Sequence, residues 1–226
     1  HGLDEDRPWK REVAPLLDLP PHVALLVEHA YTELLNNAID HSGGLQVTIS
    51  VRQTPTHVQL LVSDDGCGIF DRIARSFAID DPATAMLELA KGKLSSCPAR
   101  HSGKGLFFVA RLADVLELHA NRHAYRRLGW EGGGWQAGRP LPREGTSVFV
   151  AVALDTTVRL EALLSAHSAS GRGRDFARTE VALRLLAGPG DSLATRAQAR
   201  RAWARLAAFE HATRDFGGVE IGRAPV

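Results

Sequence analysis

Residues 32–42 read Thr-Glu-Leu-Leu-Asn-Asn-Ala-Ile-Asp-His-Ser and lie in a run, residues 22–41, that contains no glycine or proline. The apolar positions of this run recur every four residues, at Leu26, Ala30, Leu34 and Ala38. That spacing is typical of the buried stripe of an amphipathic helix. The sequence therefore predicts one long helix that begins after Pro21 and ends at residues 42–44, Ser-Gly-Gly.

The polar side chains of this helix are the first candidates for chemistry. Glu33 and Asn37 are four residues apart and project from one face, and Asp40 and His41 follow one turn later. Polar groups beside a buried stripe need partners. Carboxylate and carboxamide oxygens suit Mg²⁺, which takes few protein ligands in addition to substrate phosphates. Taken alone, however, these residues are more typical of a helix edge that borders solvent.

The composition around this helix is that of a folded globular protein. Of the 226 residues, 44% are hydrophobic and 23% are charged, which excludes disordered and collagen-like chains. Lys and Arg number 27 and Asp and Glu 26, a net charge of +1, which excludes a globally basic nucleic-acid-binding protein. Two cysteines supply neither a disulfide framework nor a four-cysteine zinc site. A reducing, cytoplasmic setting is therefore expected.

The length and the apolar runs bound the organisation of the chain. At roughly 100–200 residues per domain, the chain has room for one large domain or for a medium and a small one. No apolar run reaches the ~18–20 residues of a membrane helix, and no signal-peptide pattern opens the sequence. Because the chain begins with His1 rather than Met, we expect further residues upstream.

The periodicity beyond the first helix predicts a mixture of strands and helices. Residues 47–51 and 58–62 alternate between apolar and polar side chains, which indicates a hairpin with one buried face. Residues 131–145 are rich in glycine and proline and predict a loose connection. The further predicted elements are helices at 71–77, 82–91, 105–114 and 194–208, a short helix within 155–175, and strands near 115–121, 123–130, 146–154, 180–186 and 211–216.

A second motif follows the second strand of the hairpin. Residues 64–69 read Asp-Asp-Gly-Cys-Gly-Ile. Glycines at alternate positions let the backbone turn tightly and approach a flat ligand, and an aspartate at a strand end can accept a hydrogen bond from an exocyclic amine. An ordinary Asp-Gly turn has the same residues, so this motif alone decides nothing.

A third motif, residues 102–106, reads Ser-Gly-Lys-Gly-Leu and opens a predicted helix. Such a turn presents free N–H groups and the positive end of the helix dipole to a phosphate. Lys91, Lys93 and Lys104 lie in or beside the preceding loop, although the chain has 23 arginines and only four lysines. The clustering favours a charged ligand, because lysine suits phosphate as a compact point charge. A solvated charged loop is the alternative.

The order of the motifs is more specific than any one of them. Glu-x-x-x-Asn on a helix is followed by a hairpin, Asp-x-Gly-x-Gly-Ile, a flexible stretch, Gly-x-Gly-Leu on a helix, and Gly145-Thr146 before a strand. Over residues 20–154 this order resembles the GHKL superfamily of ATPases, which includes gyrase-type topoisomerases, heat-shock chaperone ATPases and histidine kinases. Within that superfamily, residues 32–42 are most similar to anti-sigma-factor kinases.

The resemblance implies roles for individual residues. Glu33 would be catalytic and would orient or deprotonate the attacking water, Asn37 would bind Mg²⁺, and Asp64 rather than Asp65 would accept the adenine amine. Thr146 would support the adenine through a water, and residues 80–102 would form a lid. The residues expected to contact ATP are Asn37, Asp64, Gly66, Gly68, Ile69, Lys93, Gly103, Lys104, Gly105, Leu106 and Thr146.

The resemblance also implies the fold. We expect an α+β protein, a two-layer α/β sandwich of the GHKL (Bergerat) type, in which helices cover one face of a mixed sheet. The predicted organisation is a lead-in over 1–21, an ATP-binding domain over 22–154, a linker over 155–175 and a small domain over 176–226.

The small C-terminal region has a resemblance of its own. Residues 192–201, Phe209 and residues 215–222 resemble a STAS-like α/β domain of unknown function that follows GHKL modules in bacterial proteins. The match is shorter than that pattern, which suggests truncation. The arginines of the helix predicted at 194–208 lie on one side, which favours a solvated basic face over a nucleic-acid surface.

These resemblances predict a bacterial, cytoplasmic regulatory switch that binds ATP and Mg²⁺. Closure of the lid over the γ-phosphate would create a state that ADP cannot hold, and the C-terminal module would respond to that difference. Hydrolysis would be slow, because no arginine finger stands in a motif. An ATPase or kinase activity is therefore the favoured enzyme class, with ATP and a signalling protein as partners and with no membrane. A homodimer is compatible with the resemblance.

Three alternatives stay open. The protein could be an anti-sigma-type Ser/Thr kinase that acts on a partner, or a non-catalytic module that senses nucleotide. It could also regulate transcription through DNA or a sigma factor, although nucleic acid is not the expected partner of these residues. A sensor histidine kinase is disfavoured, because no helical hairpin with a phosphoacceptor histidine precedes residue 22.

Overall fold

The computed structural model describes residues 8–95, 103–131, 134–173, 175–187, 193 and 195–216. The helices in these residues are α1 (Pro21–His41), α2 (Ile69–Phe77), α3 (Pro82–Lys91), α4 (Gly105–Leu112), α5 (Leu160–Ala166) and α6 (Arg196–Trp203). The strands are β1 (Val47–Gln53), β2 (His57–Asp64), β3 (Val115–Ala120), β4 (His123–Leu128), β5 (Trp135–Ala137), β6 (Thr146–Ala153), β7 (Arg178–Ala182) and β8 (His211–Asp215).

The main sheet contains six strands in the order β1-β2-β6-β3-β4-β5, and every neighbouring pair is antiparallel. The prediction of a mixed sheet is therefore wrong. Strands β2 and β3 run in the same direction, but β6 lies between them and runs opposite to both. In the middle rows of the sheet, Leu60 and Leu116 both lie opposite Val150.

The helical layer covers the apolar face of this sheet, as predicted. The stripe Leu26, Ala30, Leu34 and Ala38 is fully buried and belongs to one hydrophobic cluster with Leu60, Leu116 and Val150. Removing these side chains from water supplies the main driving force for closing the two layers. As a result α1 is fixed along its length, and the polar residues beside its stripe have defined positions.

Two local predictions need adjustment. Residues 131–145 contain the short strand β5, whose Trp135 is buried against β4. Three residues are too few to show the two-residue period of a strand, so the hydrophobic pattern of the sequence did not predict β5. Residues 1–21 were predicted to be irregular, whereas residues 9–16 form two short helical turns. Trp9 is buried there, with its ring centroid 5.4 Å from that of Tyr31.

The C-terminal region packs against the main sheet with its helical layer and shares its core. Strands β7 and β8 form a parallel pair, and Val181 and Leu183 belong to the same hydrophobic cluster as the main sheet. The strand predicted at 180–186 begins at Arg178 and gives way to a 3₁₀ turn at Leu183. The predicted boundaries at 154/155 and 175/176 stay predictions.

Lys91 joins helix α3 to this region. Its ammonium is 2.6 Å from Glu88 Oε1, and it donates to the carbonyls of Arg201 (2.9 Å) and Ala204 (3.0 Å). These carbonyls lie at the end of α6, which was predicted to continue to residue 208 but ends at Trp203. Lys91 thus supplies donors that the last turn of α6 lacks. Its ammonium is therefore not available to a charged ligand.

A second connection runs between α4 and β7. Arg111 Nη2 is 3.0 Å from Glu180 Oε2, and the guanidinium lies 3.5 Å from the ring centroid of Phe107. Burial lowers the pKa of Arg111 to about 10, and Glu180 opposes that shift. The Arg111–Glu180 ion pair from α4 and the Lys91 hydrogen bonds from α3 thus both connect these helices to the C-terminal region. Within the part of the chain described here, no helix has the length and apolar character that a bilayer crossing needs.

Candidate functional site

A cleft of about 740 Å³ lies between α1, α2, the ends of β2 and β6, and the start of α4. Its walls combine apolar side chains with a few polar groups, which is the usual composition of a small-molecule site. The predicted site residues that line this cleft are Glu33, Asn37, Asp64, Gly68, Ile69, Gly103, Gly105, Leu106 and Thr146. Three separate motifs of the sequence therefore meet at one place.

Asp64 lies at the floor of the cleft and is buried. Its Oδ1 accepts hydrogen bonds from the backbone N–H groups of Gly66 (2.9 Å) and Thr146 (3.1 Å). Thr146 Oγ1 in turn accepts from the N–H of Ile69 at 3.0 Å. Both bonds to Asp64 fall on one oxygen. The other oxygen, Oδ2, is thus the one that could accept from an amine in the cleft.

Asp65 has a different role, although it follows directly in sequence. Its exposed carboxylate accepts from the N–H groups of Gln46 (2.9 Å) and Leu45 (2.8 Å) and so closes the turn before β1. The bond from Gln46 is the largest cause that lowers the pKa of Asp65, followed by the bond from Leu45. Asp64 lines the cleft and Asp65 does not, which is the assignment that the sequence resemblance implies.

Glu33 lies where α4 begins. A Cβ atom added to Gly105 would collide with the Glu33 carboxylate, so only glycine allows this close approach. The first N–H groups of α4 and the positive end of its dipole are therefore near the carboxylate. A phosphate group placed here would meet the same N–H groups.

Three predicted residues do not line the cleft. Gly66 packs against the end of α1, where a Cβ atom would collide with the Ser42 carbonyl. Lys93 donates to the carbonyl of Ala208, and its ammonium is 4.5 Å from the ring centroid of Phe209. Together with Lys104, Lys93 borders a second cavity of about 340 Å³ at the junction with the C-terminal region. The assignment of these three residues to ATP stays a prediction.

Arg72 is a cleft residue that no sequence motif indicated. It lies in the first turn of α2 and lines the cleft. Its Nε is buried and, within the described residues, has no hydrogen-bond partner. The expectation of slow hydrolysis rested on the lack of an arginine finger in the sequence motifs, and Arg72 lies outside those motifs. The only signal for Arg72 was its position four residues after Gly68.

The oxygen ligands in the cleft are compatible with Mg²⁺ but do not form a closed metal cage. Among the described side chains, no group of three or more His, Cys, Asp or Glu residues could hold a metal. Asn37 lines the cleft and offers a carboxamide oxygen. Since Mg²⁺ commonly takes one or two protein oxygens together with waters and substrate phosphates, Asn37 would fit as a single protein ligand to such an ion.

His29 lies one helical turn before Glu33, and its Nε2 is buried without a hydrogen-bond partner in the described part of the chain. Burial, assisted by the charge of Lys104, lowers the pKa of His29 below 6.5. Unfolded chains therefore take up this proton at a higher pH than the folded protein. Protonation of His29 thus opposes folding.

We expect the free energy of unfolding to fall as the pH drops through 6.5, and His29→Gln to reduce that fall. The loss should level off once the pH lies below the depressed pKa of His29. Urea unfolding at a series of pH values between 7.5 and 5 measures the free energy of unfolding for both proteins. His211→Gln, which changes an exposed side chain, is the control. Parallel pH curves for wild type and His29→Gln would contradict this prediction.

The antiparallel sheet, its helical layer and the cleft at the ends of α1, β2 and α4 are the features expected of a GHKL-type nucleotide-binding domain. Residues 22–156 match the family described as "Histidine kinase-, DNA gyrase B-, and HSP90-like ATPase". This match covers more than half of the chain, and the chain therefore belongs to that family. Its members are ATPases or kinases, so the predicted family and the coarse enzyme class are confirmed.

Individual relatives match over shorter lengths. The nitrate/nitrite sensor protein NarX of Escherichia coli K12 is 36% identical over 58 residues, which are 26% of this chain and 10% of that protein. NarX of Escherichia coli O157:H7 and of Shigella flexneri match with the same figures. The match thus spans about a tenth of the length of these relatives. The 43K ATPase domain of Thermus thermophilus gyrase B, solved with an aminocoumarin, aligns with a TM-score of 0.37 and 16% identity over 70% of this chain and 42% of that chain.

Proposed function

We propose that this protein is a regulatory switch that binds ATP and Mg²⁺ and that couples nucleotide binding to its C-terminal region. One observation carries the proposal. Leu89, Leu94 and Ser95 line the cleft, while Lys91 and Lys93 between them bind the C-terminal region. A single segment thus contacts both the site and the region that would report its occupancy. A ligand that moves this segment must change its contacts on both sides.

The moving part of this segment is shorter than the predicted lid over 80–102. Residues 82–91 form α3, whose Met86, Leu87 and Lys91 are fully buried, so this helix belongs to the core. Gly92 and Lys93 follow with left-handed backbone angles, φ 81° and 57°, which end the helix sharply. The proposed lid therefore begins at Gly92. Its residues 96–102 lie outside the described residues.

The cleft also supports a hydrolysis step. In the proposed reaction, water attacks the γ-phosphorus, the bond from that phosphorus to the β,γ-bridging oxygen breaks, and Glu33 accepts the proton of the water. The N–H groups at the start of α4 would face the transferred phosphoryl group. Magnesium held by Asn37 would neutralise part of the phosphate charge. Asp64 and Thr146 would hold the base at the opposite end of the cleft.

Calorimetric titration of ATP with Mg²⁺, together with a parallel phosphate-release assay, tests this proposal. Saturable binding with slow release supports the switch. Transfer of a radiolabelled γ-phosphate to a protein partner would instead favour the anti-sigma-type Ser/Thr kinase. Binding without turnover would favour the nucleotide sensor. No heat of binding with ATP, under conditions in which the protein is folded, would refute all three.

We expect Glu33→Gln to lower phosphate release on the order of 100-fold, because the amide cannot accept the proton of the water. ATP affinity should stay within about threefold, since Glu33 would act on water rather than on the nucleotide. Glu28→Gln is the matched control, because Glu28 lies on the same helix but faces Lys10. Unchanged phosphate release by Glu33→Gln would remove the catalytic role.

The arginines of α6 and its surroundings argue against a DNA-binding function. Arg201 lies 3.5 Å from Asp81, and Arg205 lies 3.5 Å from Glu88. Arg214 stacks on Trp203, with its guanidinium carbon 3.9 Å from the ring centroid. These charges are used within the chain, which leaves a smaller basic surface than the sequence suggests. A STAS-like identity of this region, a protein partner, a homodimer and a cytoplasmic location stay predictions.

A further inference from the structure

Asn121 occupies the tight turn between β3 and β4 and lies outside every motif discussed above. Its backbone is left-handed, with φ 50°. Asparagine is one of the few side chains that adopt this region readily. The turn itself explains why a residue such as asparagine or glycine is needed here. It does not explain what the side chain does, because the carboxamide is half-buried and bonds residues of other segments.

The carboxamide of Asn121 bonds three separate segments. Its Nδ2 donates to the carbonyl of Cys67 (2.9 Å) and to Oδ2 of Asp71 (2.8 Å). Its Oδ1 accepts from the N–H of Gly145 (3.0 Å), and the backbone N–H of Asn121 donates to the carbonyl of Gly145 (3.2 Å). Both hydrogens of the amide and its oxygen are thereby used.

These three segments carry the groups that border one end of the cleft. Cys67 precedes Gly68 and Ile69, Asp71 begins the exposed side of α2, and Gly145 precedes Thr146, whose N–H bonds Asp64. The fit is tight. A Cβ atom at Gly68 would lie 2.6 Å from Asn121 Nδ2. Removing the side chain of Asn121 would therefore leave the bond from the Ile69 N–H to Thr146 Oγ1 as a remaining direct tie between this loop and the start of β6.

We infer that Asn121 is a positioning residue for the base subsite: it fixes the loop of Gly68 and the start of β6 at the separation that a purine needs between them. The inference rests on the proposed function, which places the adenine beside Asp64. It goes further by naming a residue that supports base selectivity without contacting the base. Adenine offers Asp64 an amine donor where guanine has a carbonyl oxygen, so ATP should bind more tightly than GTP in the wild type. That preference depends on the geometry that Asn121 maintains.

Asn121→Gly tests the inference, because glycine keeps the left-handed turn and removes only the carboxamide. Affinities for ATP and for GTP, each with Mg²⁺, are measured by calorimetry. We expect ATP affinity to fall about tenfold, the loss for GTP to be smaller, and the preference for ATP to shrink accordingly. Arg122→Gly, at the exposed neighbouring turn residue, is the control and should leave both affinities unchanged.

A charge-exchange pair supplies a second test in case Asn121→Gly folds poorly. Asn121→Asp places a second carboxylate opposite that of Asp71. This variant should weaken ATP binding more than Asn121→Gly does. Adding Asp71→Asn restores a donor opposite the new carboxylate, and at least half of the lost preference for ATP should return.

The outcomes separate this inference from the proposed function. A wild type that binds no nucleotide would overturn both. A wild type that prefers ATP, with an Asn121→Gly variant of equal affinity and preference, would overturn the inference alone. Equal losses of affinity for ATP and GTP in Asn121→Gly, or no rescue by the charge-exchange pair, would show that Asn121 merely stabilises the turn. Either result would also overturn the inference.

Discussion

Replacing Lys91 by methionine is expected to lower the free energy of unfolding by about 3–5 kcal/mol. The Lys91 side chain is 1% exposed, and its ammonium bonds Glu88 and the carbonyls of Arg201 and Ala204. Methionine fills a similar volume but leaves the Glu88 carboxylate buried, with Arg205 as its remaining ion-pair partner at 3.5 Å. It also leaves two carbonyls without this donor. Guanidinium chloride unfolding, followed by circular dichroism, measures the loss.

Two further variants make this result specific. Lys10→Met removes a lysine whose side chain is 63% exposed and whose ion pair with Glu28 is 3.8 Å long. Its cost should be below about 1 kcal/mol. The double variant Lys91→Met/Glu88→Leu should regain part of the stability, because removing both partners of a buried pair costs less than removing one. If Lys91→Met lowers the free energy of unfolding no more than Lys10→Met does, the buried contacts of Lys91 do not stabilise the fold as proposed.

Asp64→Asn is expected to lower ATP affinity on the order of 10²–10³-fold. The asparagine oxygen can still accept from Gly66 and Thr146, so the local backbone is preserved. The amide nitrogen then replaces the carboxylate oxygen that would face the adenine amine, and two donors oppose each other. Calorimetric titration of ATP with Mg²⁺ measures the change in Kd.

Asp65→Asn is the matched control for that experiment. Asp65 is adjacent in sequence, but its carboxylate closes the turn at Leu45 and Gln46 outside the cleft. We expect ATP affinity to change by less than about twofold and the loss to appear as a small decrease in stability. If Asp64→Asn and Asp65→Asn have equal effects on affinity, the adenine has been placed wrongly.

Much of the site could be predicted because its parts depend on local patterns. The period of α1 fixes which side of the helix is buried, and it thereby sets Glu33 and Asn37 beside the cleft. A strand that ends in Asp-Asp-Gly places its first aspartate inward and its second outward, since side chains alternate along a strand. The glycine at 105 is required by the nearby Glu33 carboxylate. Each of these relationships spans few residues.

The rest depends on partners far away in sequence. Nothing near Lys91 reveals that its ammonium will bind carbonyls 110 and 113 residues later, and the lysine cluster was therefore attributed to a ligand. Asn121 reaches Cys67 across 54 residues in the same way. The relative directions of the strands were predicted wrongly. Strand order is set by packing between distant segments, which the sequence of a single strand does not encode.

The central place of β6 also determines when the fold can form during synthesis. Strand β2 ends at Asp64 and its neighbour β6 ends at Ala153, so the ribosome must release the whole intervening chain before the hairpin gains its second partner. Until then the inner edge of β2 is unpaired, and an unpaired edge invites association with other chains. A nascent protein interrupted before β6 is complete would lack the strand that joins β2 to β3, and the edge of β2 would stay open to association with other chains.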